Sequence, residues 1–95
     1  MTEHTLTLSE TEIFCAAEAT RAQATEAYCD DRLHQAVVSY RLAARLYRTL
    51  GHHGAADRCV AVADAINNEM IARDAGDEDE ADYVAGTIVS MQKQD

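Results

Sequence analysis

Leu33, Ala36, Val37, Tyr40, Ala43, Ala44, Tyr47 and Leu50 recur at steps of three and four residues. At 3.6 residues per turn this spacing puts them on one face of a helix about five turns long. The stripe constrains the fold more than any other feature, because an apolar face of that length needs other helices to cover it. Gly51 supplies a stop, since glycine enters the left-handed region without a steric penalty, and His52-His53-Gly54 reads as a short turn.

The flanking segments supply the covering helices. Ser9-Glu10-Thr11-Glu12 is a capping box, so a first helix starts near Glu10 and carries Ile13, Ala17, Thr20, Ala24, Ala27 and Tyr28 on one side. Asp30-Asp31 is the expected break before the Leu33 helix, its carboxylates placed to cap that helix; with no glycine there, one continuous helix is the alternative reading. After the turn, Ala56, Cys59, Val60, Ala63, Ile66, Asn67 and Met70 repeat the helical period, with an end near Gly76. Six of the nine residues from Asp74 to Asp82 are acidic; Asp77 and Glu80 can cap a last helix bearing Ala81, Val84, Ile88 and Met91. Gly86 weakens that helix by about 1 kcal/mol relative to alanine, so it needs a surface to dock on.

There is no proline, and 18 of the 95 residues are alanine, so obligatory breaks are few and strand is disfavoured throughout. The expected fold is all-α, an up-down bundle of three long helices plus a short C-terminal helix. Residues 1–8 read as a flexible N-terminal segment, 9–76 as a three-helix bundle, and 77–95 as an acidic turn and short last helix. With one Phe and no Trp, the apolar area per helix is modest, so self-association would add to a small core.

The run Ala36-Val-Val-Ser-Tyr40-Arg-Leu-Ala43, with Leu33 three residues earlier, resembles the second helix of a tetratricopeptide repeat, which uses Ala, an aromatic and Ala at that spacing to pack a hairpin. Read from Ala24 through Tyr47, the same stretch is similar to three-helix domains of the microtubule-interacting and trafficking type. The resemblance covers the middle third of the chain. It implies a protein-binding module with a partner peptide or helix in a groove between helices.

A formal charge of −9 argues against direct binding to nucleic acid or to an anionic membrane, both of which require a basic face. No apolar run approaches the roughly 20 residues of a membrane span, and the first residues lack the pattern of a secretory leader, so a cytoplasmic protein is expected. Cys15, Cys29 and Cys59 are odd in number and have no CxxC spacing; they read as reduced, small core residues.

Candidate recognition residues concentrate on the Leu33–Leu50 helix. Val38, Leu42 and Leu46 lie opposite its main stripe and form a second apolar strip, to be covered by the last helix, by another subunit or by a partner. Beside them His34, Arg41, Arg45 and Arg48 form a basic seam. Guanidinium forks bind carboxylates and phosphates in bidentate fashion, so the seam suits an anionic small ligand or an acidic segment; pairing with Glu18, Glu26, Asp57 or Asp64 is the internal alternative. Adjacent His52 and His53 lack a third metal ligand, and the acidic run lacks the sixth-position glycine and terminal glutamate of an EF-hand loop. No nucleophile stands in a recognisable constellation with a base, so no catalytic residue, metal or cofactor is expected and the chain reads as a non-enzyme. Tyr28, Tyr40 and Tyr47 read as core residues whose hydroxyls reach a helix edge.

The leading functional expectation is a regulatory or adaptor protein acting through protein–protein binding, as a homo-oligomer. Two alternatives stand beside it: an acidic mimic of nucleic acid that inhibits a nucleic-acid-binding enzyme, and an oligomeric binder of a small phosphorylated or nucleotide ligand.

Overall fold

The capping box forms as its residues dictate. The Ser9 side chain accepts from the Glu12 N–H at 3.1 Å while Glu12 accepts from the Ser9 N–H at 2.9 Å, and these bonds hold the Glu12 carboxyl below its ordinary range. They open the first of four helices: α1 (Glu10–Cys29), α2 (Leu33–Thr49), α3 (His53–Asp74) and α4 (Glu78–Gln92). The computed structural model describes residues 9–93, so the segment expected to be flexible, 1–8, lies outside the described residues. No strand occurs among the described residues.

Three turns of one design join the helices. Asp31, Gly51 and Gly76 take positive φ of 64°, 79° and 76°. Each is followed by a residue whose N–H returns to the last turn of the preceding helix: Arg32 to the Ala27 carbonyl, His52 to Tyr47 and Asp77 to Ala72, at 2.8–2.9 Å. This pair of a left-handed residue and a six-to-one bond is the Schellman closure, and it reverses the chain in few residues. The break between α1 and α2 is therefore real, but Asp30 and Asp31 do not cap α2. Its N-cap is Arg32, which makes no side-chain capping bond, and Asp31 instead serves as the left-handed residue that a short polar side chain tolerates. Likewise the expected turn His52-His53-Gly54 is displaced, since α3 already begins at His53.

Each helix packs extensively on its neighbour in sequence, α1 on α2, α2 on α3 and α3 on α4. The α2 stripe is borne out: Ala36, Val37, Tyr40, Ala43, Ala44 and Tyr47 are buried, with Leu33 and Leu50 half-buried at its ends. On α3 the buried set is Ala56, Cys59, Val62, Ala63, Ile66, Glu69 and Ala72; Val60, Asn67 and Met70 are only half-buried. The difference follows from α3 having two neighbours, so its covered surface is wider than a one-sided stripe and turned toward α4. At 15 residues against 17 for α2, α4 is hardly a short appendage. Ala81, Val84 and Ile88 bury its inner face against the core, with Met91 half-buried.

Ten of the 18 buried apolar residues are alanine, which lets helix axes approach closely but leaves few large side chains to remove from water. Tyr40, Tyr47, Ile66 and Ile88 are the largest apolar side chains buried in the core. Of the three cysteines, all reduced, only Cys59 lies in the core; Cys15 and Cys29 are exposed, contrary to the expected core role, because they stand off the α1 register that buries Ala17, Ala24 and Ala27.

Candidate functional site

Two surfaces of the bundle carry distinctive chemistry, and they lie on opposite sides of α2. The outer one holds all seven residues singled out from sequence. Val38 is 59% and Leu42 47% exposed, while Leu46 is half-buried and rests against the core. The last helix does not cover this strip, because its extensive packing is on α3. Of the basic seam, Arg41 reaches Asp64 at 3.6 Å and Arg48 reaches Asp57 at 3.8 Å, with both members of each pair exposed. Two of the anticipated carboxylate partners are thus engaged, while Glu18 and Glu26 take no part in the seam. Such exposed pairs add at most about 1 kcal/mol each, but they neutralise charges that an anionic ligand would otherwise meet. Arg45 makes no ion pair among the described residues, and His34 is exposed. The structure thus presents an uncovered apolar strip edged by partly compensated charge.

The inner surface was not anticipated from sequence. α1 and α3 stand apart across α2, and the groove between them is lined by Tyr40 of α2 and Tyr28 of α1 and overhung by the end of α4. Each tyrosine hydroxyl of the inner face is tied to a polar side chain of another helix. Tyr47 donates to Glu18 of α1. Tyr40 bonds Thr25 at 2.7 Å and accepts from the Gln92 amide of α4 at 3.0 Å. Tyr28 of α1 donates to Glu69 of α3 at 2.6 Å, and the other Glu69 oxygen accepts from Arg73 Nε at 2.8 Å.

Burial raises the phenols of Tyr28 and Tyr47 well above the ordinary tyrosine range, and the adjacent Glu69 and Glu18 push the same way. Burial also raises Tyr40, partly offset by its bonds to Thr25 and Gln92. These hydroxyls therefore stay protonated as donors at neutral pH, which suits bracing better than proton transfer. Glu69 is wholly buried and was missed in the sequence. Its signal was a carboxylate on the apolar register between Ile66 and Ala72, with Arg73 one turn on, a pattern that buried charge requires. Further along, Phe14 and His52 close the Tyr47 end, with ring centroids 5.8 Å apart and His52 stacked on Tyr47 at 6.4 Å.

The Thr25–Tyr40–Gln92 bridge divides the groove into two cavities. One, of about 380 Å³, lies beside Arg21, Arg58 and Cys59; the other, of about 570 Å³, lies beside Tyr28, Glu69 and Arg73. No cluster of three or more metal-ligating side chains is present among the described residues, and no described helix is long and apolar enough to cross a membrane. The acidic run starts α4 as its chemistry suggests: Asp77 accepts from the Glu80 N–H at 3.2 Å and Glu78, Asp79 and Glu80 occupy the first turn. No family model matches the chain, and no curated protein or solved structure is significantly similar to it.

Proposed function

We propose that this chain is a small non-enzymatic regulatory or adaptor protein that works through protein–protein binding, and that the outer face of α2 is its contact surface, with a second copy of the chain as occupant. One observation carries the reading. In a bundle poor in large apolar side chains, Val38 and Leu42 are left in water although α4 had the length to cover them.

The strip also suits a two-fold contact. Val38, Leu42 and Leu46 are spaced by four residues on either side of Leu42. Antiparallel pairing centred there sets Val38 of each copy against Leu46 of the other, the self-complementarity an isologous interface needs. Arg41 and Arg48 are already paired with Asp64 and Asp57, which lowers like-charge repulsion along the flanks and leaves Arg45 as the cation of the seam that the two copies must keep apart. The tetratricopeptide-like and microtubule-interacting-like character of the α2 run is in keeping with a binding module. The pairing of the two arginines counts against a phosphate ligand on the seam, and the helix-starting role of residues 77–80 accounts for the acidic run without a nucleic-acid-binding target.

Sedimentation equilibrium tests the proposal. The parent chain is expected to dimerise and Leu42→Glu to be a folded monomer, because a charge cannot be buried at the two-fold without a partner. A parent that stays monomeric at millimolar concentration, or a Leu42→Glu chain that dimerises as well as the parent, would overturn it.

A further inference from the structure

The four helices are not held in place by the same means. α1 buries only alanines, but three hydrogen bonds of tyrosine hydroxyls fasten it to the other helices: Tyr28 to Glu69, Tyr47 to Glu18 and Tyr40 with Thr25. α4 buries Ala81, Val84 and Ile88, and among the described residues its side chains make one hydrogen bond to the other helices, from Gln92 to Tyr40 at 3.0 Å. That bond can be given up without stranding a buried group, since the Tyr40 hydroxyl keeps Thr25 at 2.7 Å. α3 ends on its own closure, with the Gly76 N–H on the Arg73 carbonyl and the Asp77 N–H on Ala72, bonds that use no α4 side chain.

Gly86 is a second, independent observation. It stands exposed in the middle of α4, and a Cβ built on it would meet no atom within 4 Å. Neither close packing nor a left-handed backbone calls for glycine there, so its effect is to lower the helix propensity of α4 alone. A 15-residue helix weakened in this way does not persist undocked in water, so undocking and unwinding are one event.

We infer that α4 is a latch, which opens as a unit from a body of α1, α2 and α3 that stays folded and uncovers the centre of the groove. With Gln92 withdrawn, the two cavities run together, and the wall formed by Cys59 and Val62 loses Met91 and Gln92 opposite it. The groove lies across α2 from Val38 and Leu42, so the latch and the self-association proposed above can fail independently.

Native-state hydrogen exchange of the full chain, followed residue by residue, tests the latch. The amides from Val84 to Ile88 are expected to share one opening equilibrium, at least about ten-fold more open than that of the slowest α2 and α3 amides. Gly86→Ala should close it by about five-fold, the factor that about 1 kcal/mol of helix propensity supplies. Phe14→Leu, altering a ring that packs on Tyr47 and His52, should speed the slowest α2 amides and leave those of α4 at the parent rate. Ile88→Asp should release α4 while α1 to α3 keep their native amide shifts. In a Cys15→Ser, Cys29→Ser background, where the buried Cys59 is the remaining thiol, Ile88→Asp should also speed its labelling by at least about ten-fold. Exchange of α4 at the same opening as α2 and α3, or α4 amides that follow Phe14→Leu, would overturn the inference. So would an Ile88→Asp chain whose α1 to α3 unfold with α4, or whose Cys59 stays as protected as in the parent.

Discussion

The two sides of α2 handle the same problem in opposite ways. On the groove side, polar groups are taken out of water and every one is matched: Tyr47 with Glu18, Tyr40 with Thr25 and Gln92, Tyr28 and Arg73 with Glu69. No buried side-chain nitrogen or oxygen among the described residues lacks a partner. On the outer side, apolar groups are left in water and unmatched, at Val38 and Leu42, while the charges beside them pair loosely at 3.6–3.8 Å. Buried polar bonds lose heavily if one member is removed, because the other remains desolvated; exposed apolar side chains lose almost nothing within the monomer. The first side therefore holds the fold, and the second is available to something else.

Alkaline pH breaks that contrast most completely. Tyr28, Tyr40 and Tyr47 are raised when folded, so the neutral phenols stabilise the native state fully below the unfolded tyrosine value near ~10, and this stabilisation is lost as pH rises toward their folded values. Absorbance at the phenolate band and helical circular dichroism should change together above about pH 10. Three phenols ionising while the helix signal stays intact would show that the inner bonds do not hold the bundle. Next in size, Tyr47→Ala removes a buried ring and the partner of Glu18, and should cost about 3–5 kcal/mol in denaturant unfolding. Arg73→Ala leaves the Glu69 carboxylate to Tyr28 alone; about 2 kcal/mol is expected, less than for a fully buried pair because Arg73 is itself half in water. Smallest is Leu42→Glu measured as a dilute monomer, where stability should shift by less than about 0.5 kcal/mol although dimerisation is lost. A Leu42→Glu cost approaching that of Arg73→Ala would place the outer strip in the fold after all.

The helices were legible from sequence where one face does one job. The α2 register from Ala36 to Tyr47 and the capping box at Ser9 are local patterns, and both appear as read. The Asp30-Asp31 break was legible as a position but not as a mechanism, since whether a carboxylate caps the next helix or an aspartate turns left-handed depends on the path of the chain. Glu69 was missed because its justification, Tyr28, is 41 positions away on another helix. The groove could not be seen for the same reason: Arg21 and Arg58 face one cavity only once α1 and α3 are set side by side across α2. The outer strip could be read, because amphipathic angle alone assigns Val38 and Leu42 to the far side; which element would cover it could not, because that depends on where α4 docks.

The division between the two faces is tested most directly by following side-chain methyl signals of the intact chain on dilution from millimolar to micromolar concentration. Val38, Leu42 and Leu46 are expected to shift together with a single dissociation constant, while Val62, Ile66 and Ile88 hold still. Stationary signals at Val38 and Leu42, or movement confined to Val62 and the groove, would contradict it.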